Sequence, residues 1–449
     1  MSKYLLPTAK WGLILGLTYT AITRRVDPDF GWHLTSGDWA RSNGIPDRDI
    51  FTYTASEFRW INHEFVSDII MSLLYSLGGY TFLAVIFAVI WAGALLISAP
   101  KARLGILLLA LLAMTPYIAI RPAAFTVLLL ATLLKVIYGR SKRLKLAIPL
   151  LFIIWANLHG GFIIGLFILL YFAVVRRSKK WLYIFLASFL ATMINIYGPR
   201  VYEEVFRTLL DASLHNQITE WWSFQIFSAS WPFIVVWVAG FWIFSRQKLS
   251  EWYSLPPILF LGSLSATRNI ALFVIVSVKK VDEYYDQALK QIPKQPMWLP
   301  RLFFWSSTIA IYLVSIWGFH GIVLPFHKDK EAVFPRSAVA YLKKNGCAGN
   351  LFNDYNYGGY LIWKLPEQRV YIDGRMPSWR DEAGVKYIDR YIDIVMDKDK
   401  QAAEFERYNI TCALVRNGFE DLIKRLKGAG WTIVTQENGA TLLVAPASG

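Results

Sequence analysis

Residues 26–49 read VDPDFGWHLTSGDWARSNGIPDRD and directly follow an apolar run that opens the chain. Asp27, Asp29 and His33 stand there beside Phe30, Trp32 and Trp39. Ionisable groups mixed with aromatics fit the water–lipid boundary, where indole rings sit at headgroup depth. The fold turns on whether the preceding run, 5–23, is a retained membrane span or a cleaved leader. Basic residues precede it, as in a signal peptide. No small-residue cleavage pattern follows, and apolar segments recur along the chain, so it reads as a retained first span.

Composition agrees. Of 449 residues, 55% are hydrophobic and 16% aromatic, too apolar for an ordinary soluble multidomain protein. The net charge of +15 is carried by short basic clusters between apolar runs, the pattern of cytoplasmic loops, and does not point to nucleic acid. A helix crosses a bilayer core in about 20 residues, fewer where neighbours or water cover its ends, and eleven segments, some of them short, are candidates. They are 5–23, 78–98, 103–120, 122–139, 145–158, 160–175, 181–196, 230–246, 253–266, 268–279 and 302–323. The links between them alternate in character. Basic links at 101–103, 139–145, 176–180, 245–248 and 279–301 belong in the cytoplasm. The others, 24–66, 120–122, 157–161, 195–229 and 266–269, fall on the outer side with everything after the last span. All six histidines fall on or near that side. The expected fold is a polytopic α-helical membrane protein, residues 1–325, with a C-terminal extracytoplasmic α/β domain, residues 326–449. The N-terminus is then cytoplasmic and the chain a multi-pass protein of the cell (inner) membrane.

In the C-terminal part, FPRSAVAYLKKNG carries Pro335 near a helix start and Gly346 after its end. GNLFND, QRVYID, ITCALVR and GWTIVTQENGATLLVAP have strand composition, the last with a turn at ENG. KQAAEFERY and FEDLIKRLKGAG supply helices. Cys347 and Cys412 are the only cysteines, and spacing alone leaves their pairing open.

The polar residues of the outer side each admit a structural and a chemical role. Asp27 suits a helix N-cap and Pro28 a first helical position. Asp29 and His33 are spaced to share one helix face, where a carboxylate and an imidazole form a general-base or metal-ligand pair. WINHEFVSD opens a second amphipathic stretch in which Asn62 suits an N-cap, with His63 and Glu64 brought near the first helix. Asn157 and His159 in NLHGG, Asn195 in NIYGPR, Glu220 in ITEWW and Asn269 in ATRN sit at span ends, facing a cavity or bonding neighbouring helices. Arg121 in IRP and Arg268 in ATRN carry guanidinium forks that match phosphate oxygens, or else reach for headgroups. Arg24 and Arg25 run against the positive-inside trend and suit lipid phosphate at the outer face. In NDYNYGGYLIW and IDGRMPSW, Asp354, Tyr357, Asp373 and Arg375 line an acceptor surface or serve turns.

Taken in order, DPDFGWHL, NHE, RP, NLHGG, ITEW, TRN and YNYGGYLIW with IDGR resemble a group of bacterial membrane proteins similar to the GT-C superfamily of integral membrane glycosyltransferases. The resemblance covers nearly the whole chain, through short motifs. It implies a polyprenyl-phosphate-linked sugar donor, a glycan, lipid or protein acceptor, and an acid of the first outer loop, Asp29 or Asp27, at the acceptor. His33 has no general counterpart there. The expected reaction is inverting sugar transfer on the outer face. Asp29 takes the proton of an acceptor hydroxyl, and Arg268, with Arg121, stabilises the leaving phosphate. One competing expectation is transfer of a whole oligosaccharide, as for O-antigen, from a polyprenyl-diphosphate carrier. A divalent metal, Mg or Mn, would then be held by Asp27, Asp29, His33 and Glu64. The other is a lipid-glycan transporter without chemistry.

Overall fold

The computed structural model describes residues 2–24, 26–221, 254–291, 334–437 and 439–446. The chain divides into two compact units. The first comprises Met1–Arg24, Tyr80–Val201 and Ser213–His327, and the second Arg25–Gly79, Tyr202–Ala212 and Lys328–Gly449.

Each expected span that lies within the described residues contains a helix, though 103–120 is helical only to Met114 and 181–196 only to Ala191. The helices, in order, are α1 (Ser2–Thr23), α2 (Phe30–Asn43), α3 (Phe65–Ser98), α4 (Leu104–Met114), α5 (Ala123–Tyr138) and α6 (Lys142–Leu146). Then come α7 (Ile148–Leu158), α8 (Phe162–Val175), α9 (Lys179–Ala191), α10 (Val201–Leu209), α11 (Leu214–Gln217), α12 (Leu255–Ser265) and α13 (Ile270–Gln291). The expected spans at 230–246 and 302–323 lie outside the described residues.

By length and apolarity, α3 is the one described helix that passes as a membrane crossing, with 34 residues and a mean hydropathy of 2.4 over an 18-residue stretch. Shorter apolar helices of 10–17 residues include α4, α5, α7, α8 and α12. Proline sets several starts, where a missing N–H costs nothing: Pro122 caps α5, and α7 and α12 carry proline in their first turn. Inside α3 the helix breaks at Gly78 and Gly79, and Gly79 has φ 65°, which glycine alone adopts without strain. In the first unit, Trp91 donates to Ala119 O at 3.0 Å, and Arg103 pairs with Asp282 at 3.2 Å and also with Asp286.

The second unit is built on a four-stranded sheet of β1 (Asn350–Asn353), β2 (Ile410–Arg416), β3 (Thr432–Glu437) and β4 (Ala440–Val444), in the order β1-β2-β4-β3. β1 runs parallel to β2, and the other pairs are antiparallel. Its helices are α14 (Arg336–Asn345), α15 (Gly358–Lys364), α16 (Tyr387–Met396), α17 (Lys398–Arg407) and α18 (Glu420–Gly428). As the sequence predicts, Pro335 and Gly346 bracket α14, and Gly439 (φ 78°) turns the hairpin.

One expected strand is absent. QRVYID is an extended loop, because side chains and the first outer loop take up its backbone groups. Asn353 Nδ2 donates to Ile372 O and its Oδ1 accepts from Tyr371 N, both at 2.8 Å. Val370 N donates to Phe51 O at 3.0 Å, and Tyr53 N to Val370 O at 3.2 Å. The segment Arg25–Gly79 thus belongs to the same compact unit as the C-terminal sheet.

Cys347 and Cys412 form a disulfide that ties the segment before β1 to β2, with Cα atoms 5.9 Å apart across a sequence separation of 65. Closing a loop of this size removes unfolded-state entropy worth about 4 kcal/mol. Cys347→Ser is therefore expected to lower the melting temperature of the C-terminal part, as reductant does in the wild type. Equal melting of variant and wild type without reductant would show that the bond carries no stability.

Candidate active site

The opening motif is positioned by close backbone packing in the second unit. A Cβ on Gly31 would lie 2.2 Å from Gly359 O, and one on Gly359 would lie 2.3 Å from Pro28 O. Neither site has room for a side chain, so α2 seats directly on α15. Thr35 adds a hydroxyl bond of 3.4 Å to Ile362 O. DPDFGWHL and YNYGGYLIW, distant in sequence, thus form one contact. The Gly358–Gly359 pair, whose composition suggests a reversal, instead opens a helix.

Asp27 is buried, and its Oδ1 accepts from Asp29 N at 2.9 Å, a turn that precedes the helix. The half-buried Asp29 is the N-cap of α2, but its carboxylate does not cap the helix. It lies instead against Gly374 of IDGR, where a Cβ would fall 1.9 Å from Asp29 Oδ1. The DPD motif and IDGR therefore meet through a glycine.

His33 does not pair with Asp29, although the two share a helix. Its Nδ1 meets Asp68 Oδ1 at 2.7 Å, with both side chains buried. Asn62 Nδ2 bonds Asp68 Oδ2 at 2.8 Å and Ser36 Oγ at 3.1 Å, while Asn62 Oδ1 accepts from Glu64 N at 3.1 Å. Burial disfavours the imidazolium, but Asp68, and more weakly Glu64 and Asp29, outweigh it, so the His33 pKa is raised above the usual 6.5. A raised folded-state pKa gives stability that is full below about pH 6.5 and is lost as pH climbs through the higher folded value. The wild type is expected to lose melting temperature over that window, and Asp68→Asn to flatten the dependence. A wild-type profile indistinguishable from that of Asp68→Asn would sink this assignment.

Further charges gather nearby in the same unit. His63 Nε2 lies 3.9 Å from Glu64 Oε1. Glu204 of α10, an acid that no motif in the sequence singles out, pairs with Arg207. Its pKa is raised by burial, against the pull of Arg207 and His63. Only its place in an amphipathic turn, VYEEVFR, could have flagged it.

IDGR also contains a buried ion cluster. Arg375 binds Asp373 in a two-toothed fashion at 2.8 and 2.6 Å, and Asp49 at 2.8 Å. Its guanidinium lies 4.5 Å from the Trp60 ring centre and 4.9 Å from that of Phe51. These contacts are internal, and the role they display for Asp373 and Arg375 is holding the 373–376 turn beneath Asp29. Asp354 likewise accepts from Tyr391 Oη at 2.8 Å and Arg416 Nε at 2.7 Å. Tyr357 is buried, and burial together with Asp354 pushes its pKa up to about 12.

The first unit holds a separate cluster. The turns Thr219–Trp221 and Thr267–Asn269 adjoin through Thr267 Oγ1, which donates to Glu220 O at 3.3 Å. Arg121 Nη1 pairs with Glu220 Oε1 at 2.6 Å, and the Arg268 guanidinium lies 4.8 Å from the Trp221 ring centre. Arg121 and Arg268, two of the four predicted phosphate-binding arginines, thus converge on ITEW.

The remaining outer-side residues have local partners. Asn157 Nδ2 donates to Ile153 O and Ile194 O, and His159 Nδ1 meets Thr126 Oγ1 at 2.8 Å and accepts from Gly161 N at 2.9 Å. Asn195 bonds Thr192 O and Gly198 O, and Asn269 bonds Gly262 O. They close helix ends and reversals. Arg24 is exposed, while Arg25, His320 and His327 lie outside the described residues. Among the described residues no three His, Cys, Asp or Glu side chains are grouped as a metal site, Asp27, Asp29, His33 and Glu64 included.

No protein-family model and no curated protein matches the sequence. Solved structures do match. The oligosaccharyltransferase AglB of Archaeoglobus fulgidus, in complex with an inhibitory peptide and a dolichol-phosphate, superposes with a TM-score of 0.59 at 10% identity, covering 99% of this chain and 75% of that one. ArnT of Cupriavidus metallidurans, bound to undecaprenyl phosphate, gives 0.55 at 12% identity, covering 100% and 98%. The arabinofuranosyltransferase AftD from Mycobacteria gives 0.52 at 13% identity, covering 99% of this chain and 40% of its own. The chain therefore shares its fold with these three solved structures.

Proposed function

We propose that this protein is a membrane glycosyltransferase that moves a sugar from a polyprenyl-phosphate-linked donor to an acceptor hydroxyl on the outer face of the membrane, with inversion. The observation that carries the reading is the fold shared over the whole chain with ArnT, solved bound to undecaprenyl phosphate, and with AglB, solved in complex with a dolichol-phosphate. Residues 1–325 serve as the multi-pass membrane part and 326–449 as the extracytoplasmic domain. The Cys347–Cys412 disulfide supports that placement, since such bonds persist outside the reducing cytoplasm.

In this reading the acceptor oxygen attacks the anomeric carbon and its proton passes to the Asp29 carboxylate. The bond from that carbon to the donor's phosphate oxygen breaks, and its electron pair stays on the phosphate. Arg268, with Arg121, stabilises the charge that develops there, which in a water-poor site usually lowers the barrier more than the proton transfer does. Arg24 and Arg25 assist entry of the anionic lipid. His63, Asn157, His159, Asn195, Glu220, Asn269 and Tyr357 shape the surroundings. The likeness to an oligosaccharyltransferase favours testing whole-glycan donors on diphosphate carriers alongside single sugars.

The test uses the full chain in lipid nanodiscs with labelled polyprenyl-phosphate sugars and a mixture of envelope glycan, lipid and peptide acceptors. Acceptor-dependent appearance of a new glycoside of inverted configuration is the expected result. Movement of donor lipid across a proteoliposome bilayer without any covalent product would replace this reading by transport.

A further inference from the structure

Arg121 already has a carboxylate partner, Glu220, at 2.6 Å, while Arg268 rests on the ring of the next residue, Trp221. The cluster of two guanidiniums and one carboxylate is compact, because Thr267 of the Arg268 turn bonds the Glu220 carbonyl. Its net charge is a single positive. Neither charge of the ion pair is fully exposed, since Arg121 keeps 18% and Glu220 36% of side-chain exposure. Two adjacent unpaired guanidiniums would repel one another there, so a carboxylate has an evident resting role.

Charge changes during transfer. A donor phosphodiester bears one negative charge, which a single guanidinium can match. When the bond to the anomeric carbon breaks and its electron pair remains on the phosphate oxygen, the phosphate moves to two charges, while the acceptor proton goes to Asp29. We propose that Glu220 is a built-in counter-ion that holds Arg121 in reserve: Arg268 meets the singly charged donor, and Arg121 exchanges Glu220 for the phosphate as the second charge appears. An interaction made only as charge develops lowers the barrier, whereas one made equally with the bound donor does not. The exchange swaps the Glu220 carboxylate for the phosphate on Arg121, so Arg121 keeps an anionic partner throughout. The inference rests on the proposed glycosyltransferase reading, in which Arg121 and Arg268 serve the phosphate.

The test measures binding of a polyprenyl monophosphate and of its methyl phosphodiester to the full-length protein in nanodiscs. Glu220→Gln is expected to tighten the monophosphate about fivefold, the scale of a partly exposed ion pair, and to change the methyl diester much less. The gain should vanish in Glu220→Gln combined with Arg121→Gln. Glu220→Asp, which keeps the charge, should keep the wild-type ratio of the two affinities and guards against a folding artefact in the Gln variant. Weaker binding of both ligands to Glu220→Gln would make Glu220 a support for Arg121 and overturn the proposal, as would unchanged monophosphate affinity. If Arg121→Gln and Arg268→Gln each leave monophosphate affinity at the wild-type value, the phosphate site itself is misassigned, a failure distinct from that of the counter-ion exchange.

Discussion

Asp29→Asn is expected to lower kcat by about two to four orders of magnitude, the range for removal of a general base, with donor-lipid binding retained. Asparagine keeps the size and hydrogen-bonding reach of the side chain but cannot take the acceptor's proton. Asp27→Asn is the matched control. Its Oδ1 accepts the Asp29 backbone N–H, a bond that an amide oxygen can still accept, so its activity should stay near normal. A reversed pattern, with loss at Asp27 and none at Asp29, would move the base to Asp27. The seat of the carboxylate offers a second handle. A methyl on Gly374 would fall 1.9 Å from Asp29 Oδ1, so Gly374→Ala must displace the carboxylate and should lower kcat with KM little changed.

Arg268→Ala is expected to lower kcat by about two to three orders of magnitude, comparable to the loss of one donor that faces developing charge. Steady-state kinetics with the lipid donor separate binding from chemistry. A fall in kcat with KM little altered marks stabilisation of the leaving phosphate, whereas a rise in KM alone would mean that Arg268 only holds the donor. Arg268→Lys should recover part of the rate, since an ammonium keeps the charge but loses the fork and the flat face that lies on Trp221.

The sequence shows the helices of the first unit well, because an apolar run is a local signal and proline or glycine punctuates its ends. The hairpin at Gly439 and the end of α14 at Gly346 are legible for the same reason. Side-chain partnerships are not local. The spacing of Asp29 and His33 suggests a pair, yet His33 bonds Asp68, 35 residues away, and Arg121 finds Glu220 at a separation of 99. QRVYID has strand composition but is held by Asn353 and by residues 51–53, which no pattern inside it could foretell. Arg375 looks like a surface ligand in sequence because nothing near it reveals that Asp49 and a cage of aromatic rings surround it. The motifs are visible in the chain, and their grouping comes only from the fold.

The glycine contact between α2 and α15 also sets an order of events. Thr35 and Ile362, which bond across it, are 327 residues apart, so most of the chain is synthesised between the two halves of this contact. A growing chain that already carries Asp29 still lacks both the helix on which α2 rests and the glycine against which the carboxylate lies. The acidic motif is made early, and its packing partners Gly359 and Gly374 follow more than 300 residues later. A chain truncated before Gly358 therefore carries Asp29 without the helix and the glycine against which it packs.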